Sequence, residues 1–198
     1  MPSEPLILGF DTSAAHCAAA LLRGDQIVAE RLELMKRGQA ERLMVLLEEI
    51  LAEGDATWKD LTAIGVGVGP GNFTGIRIGV SAARGLALGL DIPAVGVDGF
   101  EARESEGALA AIPAPRDQVY AALPNQAPRL MPASEAAEAA RGAGLTFAPE
   151  ASPEGLAAAI ARQAALRADD NSAAPAPLYM RAADAAPSRD VPPALIDG

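Results

Sequence analysis

The run from Gly69 to Gly79, GPGNFTGIRIG, constrains this chain more than any other stretch. It follows Leu61–Val68, an almost unbroken apolar run, and it opens a long segment of helix formers. A strand with no polar alternation is usually buried on both faces, as parallel strands covered by helices are. Strand, glycine-rich turn and helix in that order make the first half of a crossover unit. Gly69 and Gly71 admit backbone angles closed to other residues, Pro70 stiffens the turn between them, and Asn72 suits a helix cap. Free N–H groups at such a helix start can hold an anion such as phosphate. A tight turn without a ligand is the plainer alternative. The turn is not a Walker A loop, because no Gly-Lys-Ser/Thr follows.

The helix behind the turn is expected over Thr74–Leu88. Gly75 and Gly79 stand four residues apart on one face, with Ala82 and Ala83 one turn further on. A glycine inside a helix costs roughly 1 kcal/mol against alanine. Close approach of another backbone is the usual compensation, from the chain's own sheet or from a partner helix. On the second alternative, Gly79→Leu disturbs association and spares the fold. Arg77 and Arg84 read as partner or phosphate contacts, or as solvated charge.

Around this unit the element order is βββαβαβ. Leu6–Phe10, His16–Leu22 and Gln26–Leu34 read as strands joined by short turns, an N-terminal antiparallel meander. Gln39–Glu53 is the clearest helix, with Leu43, Leu46, Leu47, Ile50 and Leu51 on one arc and Met44 and Val45 widening it. An arc that wide can cover its own sheet and still meet a neighbour. Its acidic residues, Glu41, Glu48, Glu49 and Glu53, read as a solvated face. Ile92–Val97 is the last clear strand. The composition shifts near residue 100, dividing 1–100 from a less regular 101–198. There Phe100–Ala111 reads as helical, Val119–Leu123 as a strand, and Ser134–Arg141 and Pro153–Ala168 as helices, the first capped by Ser134. Prolines interrupt the stretch between. Asp169–Pro177 reads as a loop, Leu178–Arg181 as a short ordered patch, and the tail beyond as mobile.

Composition narrows the chemistry. The 198 residues carry a formal net charge of -10, and aromatic residues make up only 4%. Unaided nucleic-acid binding draws on a clustered basic face, and none is visible. Any nucleic acid is therefore expected to be held by another subunit, and anionic membranes are disfavoured. One cysteine, Cys17, and one histidine, His16, rule out a disulfide within the chain and a Cys/His zinc site. As strand neighbours they point to opposite faces, so they cannot form a catalytic pair and are read as structural. Asp11-Thr12-Ser13 ends the first strand, where an Asp can serve a metal–nucleotide site, or can simply close an Asx turn. No leader and no bilayer-spanning apolar run is apparent, and the low cysteine content suits a reducing cytosol.

Taken together, LILGFDTS, the hairpin, the first helix, AIGVGVGPGNFTGIRIGVSAARGLALGL and IPAVGVD resemble the TsaB (YeaZ) family. The resemblance runs over residues 6–104, with IPAPRDQVYAAL and PLYMR as later remnants. It implies an α/β actin-like ATPase (RNase H-like) fold of two lobes, whose mixed sheet opens with the meander. It implies a non-catalytic, cytoplasmic partner subunit of the enzyme that makes N6-threonylcarbamoyladenosine at position 37 of tRNA. TsaD would be the catalytic subunit, TsaE an ATPase that joins them, and tRNA would be reached only through the complex. No intrinsic cofactor is implied; ATP or ADP would sit at the interface with TsaD.

The resemblance also implies a homodimer. In either assembly the interface would use Leu43, Met44, Leu47 and Leu51 with Gly75, Ile76, Gly79, Ala82 and Ala83. Asp11, Thr12, Ser13, Gly69, Gly71 and Asn72 would be the nucleotide or phosphate contacts. TsaD carries metal-binding histidines after the strand matching IPAVGV; Gly99 and Arg103 stand there in this chain, and neither can replace an imidazole ligand. Gln39 replaces a histidine common in TsaB, and Ile112-Pro113-Ala114-Pro115 replaces its usual Ile-Asp-Ala-Arg. The alternatives from other classes are an independent ATP-binding enzyme of the actin-like superfamily and a glycoprotease-like metallopeptidase.

Overall fold

A computed structural model describes residues 4–147, 149, 155–168 and 173–180. The N-terminal strands β1 (Leu6–Asp11), β2 (His16–Arg23) and β3 (Gln26–Leu34) are followed by α1 (Gln39–Glu53), β4 (Ala63–Gly67), α2 (Phe73–Leu90) and β5 (Ala94–Val97). They form one five-stranded sheet ordered β3-β2-β1-β4-β5. The first three strands are antiparallel, while β1, β4 and β5 run parallel. A parallel neighbour cannot be reached by a tight turn, so α1 and α2 serve as the crossovers.

Alternation along β1 divides the core. Leu6, Leu8 and Phe10 face Leu43, Leu46, Leu47 and Ile50 of α1 together with Ile76, Val80 and Ala83 of α2. Ile7 faces the other way, toward Leu156, Ile160, Ala161 and Ala164 of a C-terminal helix (Leu156–Ala165). That helix lies unusually close to the sheet: a Cβ at Gly9 would come within 2.6 Å of Ala157 O, and one at Gly65 within 2.8 Å of the Ala164 Cβ. Glycine on the strands and alanine on the helix permit a contact that larger side chains would prevent.

Between β5 and that helix the chain builds smaller pieces. β6 (Ala108–Leu109) pairs in parallel with β10 (Thr146–Phe147). β7 (Ala111–Ala114), β8 (Gln118–Ala121) and β9 (Arg129–Pro132) form an antiparallel sheet covered by α3 (Ala133–Gly142). The C-terminal helix is α4.

Several expectations are corrected here. Phe100–Ala111 is not a helix; it holds a 3₁₀ turn (Glu101–Arg103), β6 and the start of β7. Asp98 Oδ1 accepts from the N–H groups of Phe100 and Glu101 while Glu101 Oε2 accepts from Asp98 N–H, so the capping pattern is spent on a single turn. β7 and β9 were hidden by Pro113 and Pro132. Both prolines sit on the outer strands of the sheet, where a missing N–H breaks no ladder bond. Ser134 does not cap α3, which starts one residue earlier after Pro132. Glu49 and Glu53 are not free in solvent: Arg31 binds both, and Arg42 bridges Glu33 to Glu49. Arg181 and the tail beyond lie outside the described residues, as do parts of the expected 153–168 helix and 169–177 loop.

Candidate functional site

The C-terminal end of β1 meets the β4–α2 turn, and this junction organises the most structured polar site on the molecule. Asp11 is 2% exposed. Its Oδ1 accepts from Ser13 N–H at 2.9 Å and from Ser13 Oγ at 2.9 Å, and it pairs with His16 Nε2 at 2.7 Å. Burial by itself would push the Asp11 carboxyl up; the His16 bond and charge and the two Ser13 donors outweigh it, and the net shift is downward. The hairpin register explains the partnership. Asp11 lies opposite Ala18, so His16, two residues earlier on β2, shares its face. His16 therefore has a partner that its sequence neighbours did not reveal. A reader who drew the register from the turn could have found it.

Thr12 and Ser13 bind the hairpin to α2. Thr12 Oγ1 donates to Gly75 O at 2.7 Å, and Asn72 N–H donates to Ser13 O at 2.6 Å. Asn72 Oδ1 accepts from Gly75 N–H at 2.8 Å, the cap expected of it. The glycines of the turn have separate reasons. Gly69 has φ +98° and precedes a cis peptide to Pro70. Gly71 has no such angle; a side chain there would collide with Ser13 O. A Cβ at Gly75 would collide with Thr12 O, and one at Gly79 would lie 2.8 Å from Thr12 Oγ1 and 3.4 Å from Val66 Cγ2.

This geometry bears on the metal–nucleotide site that an Asp at the end of β1 could serve. The residues do not fit a phosphate cradle within the chain. Asp11 Oδ1 is committed to Ser13 and His16, and a Cβ at Gly67 would collide with Oδ2. The space that Gly71 and Gly75 leave open is filled by the hairpin backbone. Among the described residues no three His, Cys, Asp or Glu side chains converge to hold a metal ion.

The residues expected at an interface divide by burial. Leu43, Leu47, Leu51, Ile76 and Ala83 are at most 3% exposed and sit in the chain's own core. Gly75 and Gly79 are buried against Thr12, so the close approach they serve is internal, and Gly79→Leu would strike the interior. Ala82 is half-buried and Met44 is exposed. The outer surface of the two helices presents Met44, Val45, Phe73 and Leu88 instead. Arg77 is engaged within the chain. Its Nε donates to the Tyr179 hydroxyl at 2.9 Å, and its guanidinium lies 4.0 Å from the centroid of Phe73, whose ring stacks on Tyr179 at 5.0 Å. Leu178 N–H donates to Val68 O at 2.8 Å, so the LYM patch is tied to the end of β4 and the start of α2.

Cys17 points into the α1 side of the core and is fully buried. Burial, reinforced by the charge of Glu33, pushes its thiol up to about 12. Thiolate is the reactive form. Ellman's reagent at pH 8 is therefore expected to leave the folded chain unlabelled and to titrate one thiol in urea. Fast labelling of the native protein would contradict this.

A cleft of about 410 Å³ opens beside the hairpin, between Ser13, His16, Pro70, Gly71 and Asn72 on one side and Arg103, Ile112, Pro113 and Tyr120 on the other. Ser13, Gly71 and Asn72 were expected at a ligand site from sequence; Arg103, Ile112 and Tyr120 were not, because their nearness to the hairpin depends on the 3₁₀ turn after β5 and on the second sheet.

Known proteins resemble part of this chain. The family model described as TsaD, tRNA N6-adenosine threonylcarbamoyltransferase, matches residues 29–123. The tRNA threonylcarbamoyladenosine biosynthesis protein TsaB of Haemophilus influenzae is 36% identical over 123 residues, covering 58% of this chain and 51% of its own. The Bacillus subtilis protein of that name is 39% identical over 123 residues, covering 59% and 54%. The chain thus spans about half the length of these curated relatives. Among solved structures, YeaZ from Pseudomonas aeruginosa superposes with a TM-score of 0.54 at 32% identity, over 64% of each chain. An uncharacterised protein with similarity to peptidase YeaZ gives a TM-score of 0.66 over 89% of this chain and 100% of its own, at 24% identity, a likeness of fold. With TsaB relatives at 36–40% identity and a YeaZ structure superposing on 64% of the chain, this chain is similar to the TsaB/YeaZ proteins.

Proposed function

We propose that this chain is the non-catalytic partner subunit of the tRNA N6-threonylcarbamoyladenosine transferase, acting at position 37 with TsaD as the catalytic subunit and TsaE as the accompanying ATPase. The observation that carries the reading is the 36–39% identity to curated TsaB proteins over 123 residues. The acidic composition, net -10, fits a subunit that meets tRNA through the complex. Any ATP or ADP would lie between subunits, because the residues of the β1 hairpin are occupied internally. The proposed two-lobed, actin-like arrangement divides near residue 100. Among the described residues no helix is long and apolar enough to cross a membrane; the compartment proposed is the cytoplasm.

The proposed interface, shared by the homodimer and the TsaD complex, is the outer surface of α1 and α2. Met44 and Val45 are 39% and 47% exposed, and Leu88 is 86% exposed. The buried glycines and leucines act by holding the two helices in place. Reconstitution tests both function and surface: TsaD, TsaE, the adenylate donor and tRNA, with and without this chain. Modification is expected only with the chain present, and Met44→Asp/Val45→Asp is expected to lower it at least about tenfold with little change in Tm. Equal modification without the chain sinks the functional reading. A double variant as active as the parent sinks the surface.

A further inference from the structure

The cleft beside the Asp11 hairpin is lined by two polar side chains with bonding capacity to spare. Arg103 is half-buried; its Nη1 donates to Gly99 O at 3.1 Å, and among the described residues no carboxylate pairs with it. Burial holds its guanidinium below the ordinary arginine range, with the charge of Asp11 opposing that shift. Tyr120 is 8% exposed, and its hydroxyl makes no hydrogen bond to the described residues; no side-chain nitrogen or oxygen among them is both buried and unpartnered, so the hydroxyl is open to the cleft. Both line the same cavity of about 410 Å³.

A cation partly sheltered from water without a counter-charge costs free energy, and a hydroxyl that opens on a cleft has a donor and lone pairs to offer a ligand. Asp11, the acid whose charge Arg103 feels, is bound to Ser13 and His16 and cannot turn toward it. A bound anion would supply Arg103 with a counter-charge and offer an acceptor to the Tyr120 hydroxyl. The wall opposite is apolar, formed by Ile112 and Pro113. The volume lies within the range of small-molecule sites.

We propose that this cleft binds a small organic anion, with a carboxylate or phosphate head on Arg103 and the Tyr120 hydroxyl and an apolar or aromatic body against Ile112 and Pro113. A guanidinium receives either head group in paired hydrogen bonds. The proposal does not depend on the partner-subunit reading, and either can fail without the other.

The test uses the full chain with benzoate, phenyl phosphate and neutral phenol as probes, read by calorimetry and by amide chemical shifts. At least one anion is expected to bind, shifting the signals of Asn72, Arg103 and Tyr120, while phenol does not. The tighter anion identifies the head group. Arg103→Gln is expected to weaken binding about tenfold and Tyr120→Phe about threefold. Absence of binding by both anions up to about 20 mM overturns the proposal. So does equal binding of phenol, or undiminished binding by Arg103→Gln. Should Arg103→Gln not fold, Tyr120→Phe decides, since it removes one oxygen and keeps the ring; unchanged affinity, or shifts confined to another surface, then refutes the site.

Discussion

Gly75→Ala is expected to cost on the order of 4 kcal/mol or more, enough to unfold much of the population at ordinary temperatures. Helix propensity predicts the opposite, since alanine in a helix is favoured over glycine by roughly 1 kcal/mol. The added Cβ, however, would collide with the carbonyl oxygen of Thr12, and that oxygen belongs to the backbone of the β1 hairpin. It cannot move without breaking the Thr12–Gly75 and Asn72–Ser13 hydrogen bonds that tie hairpin to helix. Gly85 is the internal control. It lies in the same helix, and a Cβ there would meet nothing within 4 Å. Gly85→Ala is therefore expected to stabilise the protein by up to about 1 kcal/mol. Urea denaturation of the two variants beside the parent gives both numbers. If Gly75→Ala is as stable as the parent, the helix does not sit on the hairpin as described.

Asp11→Ala is the second large effect, with an expected loss of about 3–5 kcal/mol. The carboxylate satisfies the Ser13 N–H, the Ser13 hydroxyl and His16 Nε2 in a site that is almost wholly buried. Removing it strands all three groups at once. The pH dependence follows from the direction of the shift. The folded carboxyl titrates below its unfolded value of about 3.9, so between the two the unfolded chain binds more protons. The stability contributed by Asp11 is present above that unfolded value and is lost as pH falls through the folded one. The Tm difference between the parent and Asp11→Asn is expected to be steady from neutral pH down to about pH 4 and to shrink below it. A gap that stays constant into strong acid would mean that the Asp11 charge does not contribute.

These two residues show where sequence reasoning reached and where it stopped. The meander, α1 and α2 were legible because each carries its own period. The Gln39–Glu53 leucines repeat as one buried arc, and Gln26–Leu34 alternates. Asn72 was legible as a cap because capping is local. β7 and β9 were not, since Pro113 and Pro132 read as breaks until the sheet placed them on its outer strands. Four-residue spacing revealed that Gly75 and Gly79 need a close neighbour. Spacing could not say that the neighbour is Thr12 and not a second chain, because an apolar helix face looks alike whether it packs inward or outward.

By itself the sequence determined that Gly69–Gly79 joins a buried strand to a helix, and it carries the resemblance to the TsaB proteins. Only the tertiary structure decided what the junction touches. The β1–β2 register brings His16 to Asp11, the hairpin fills the space the glycines leave, and the 3₁₀ turn after β5 and the second sheet set Arg103 and Tyr120 beside it. Local pattern specifies an element and its faces, whereas the partner of a face depends on chain closure between residues tens of positions apart.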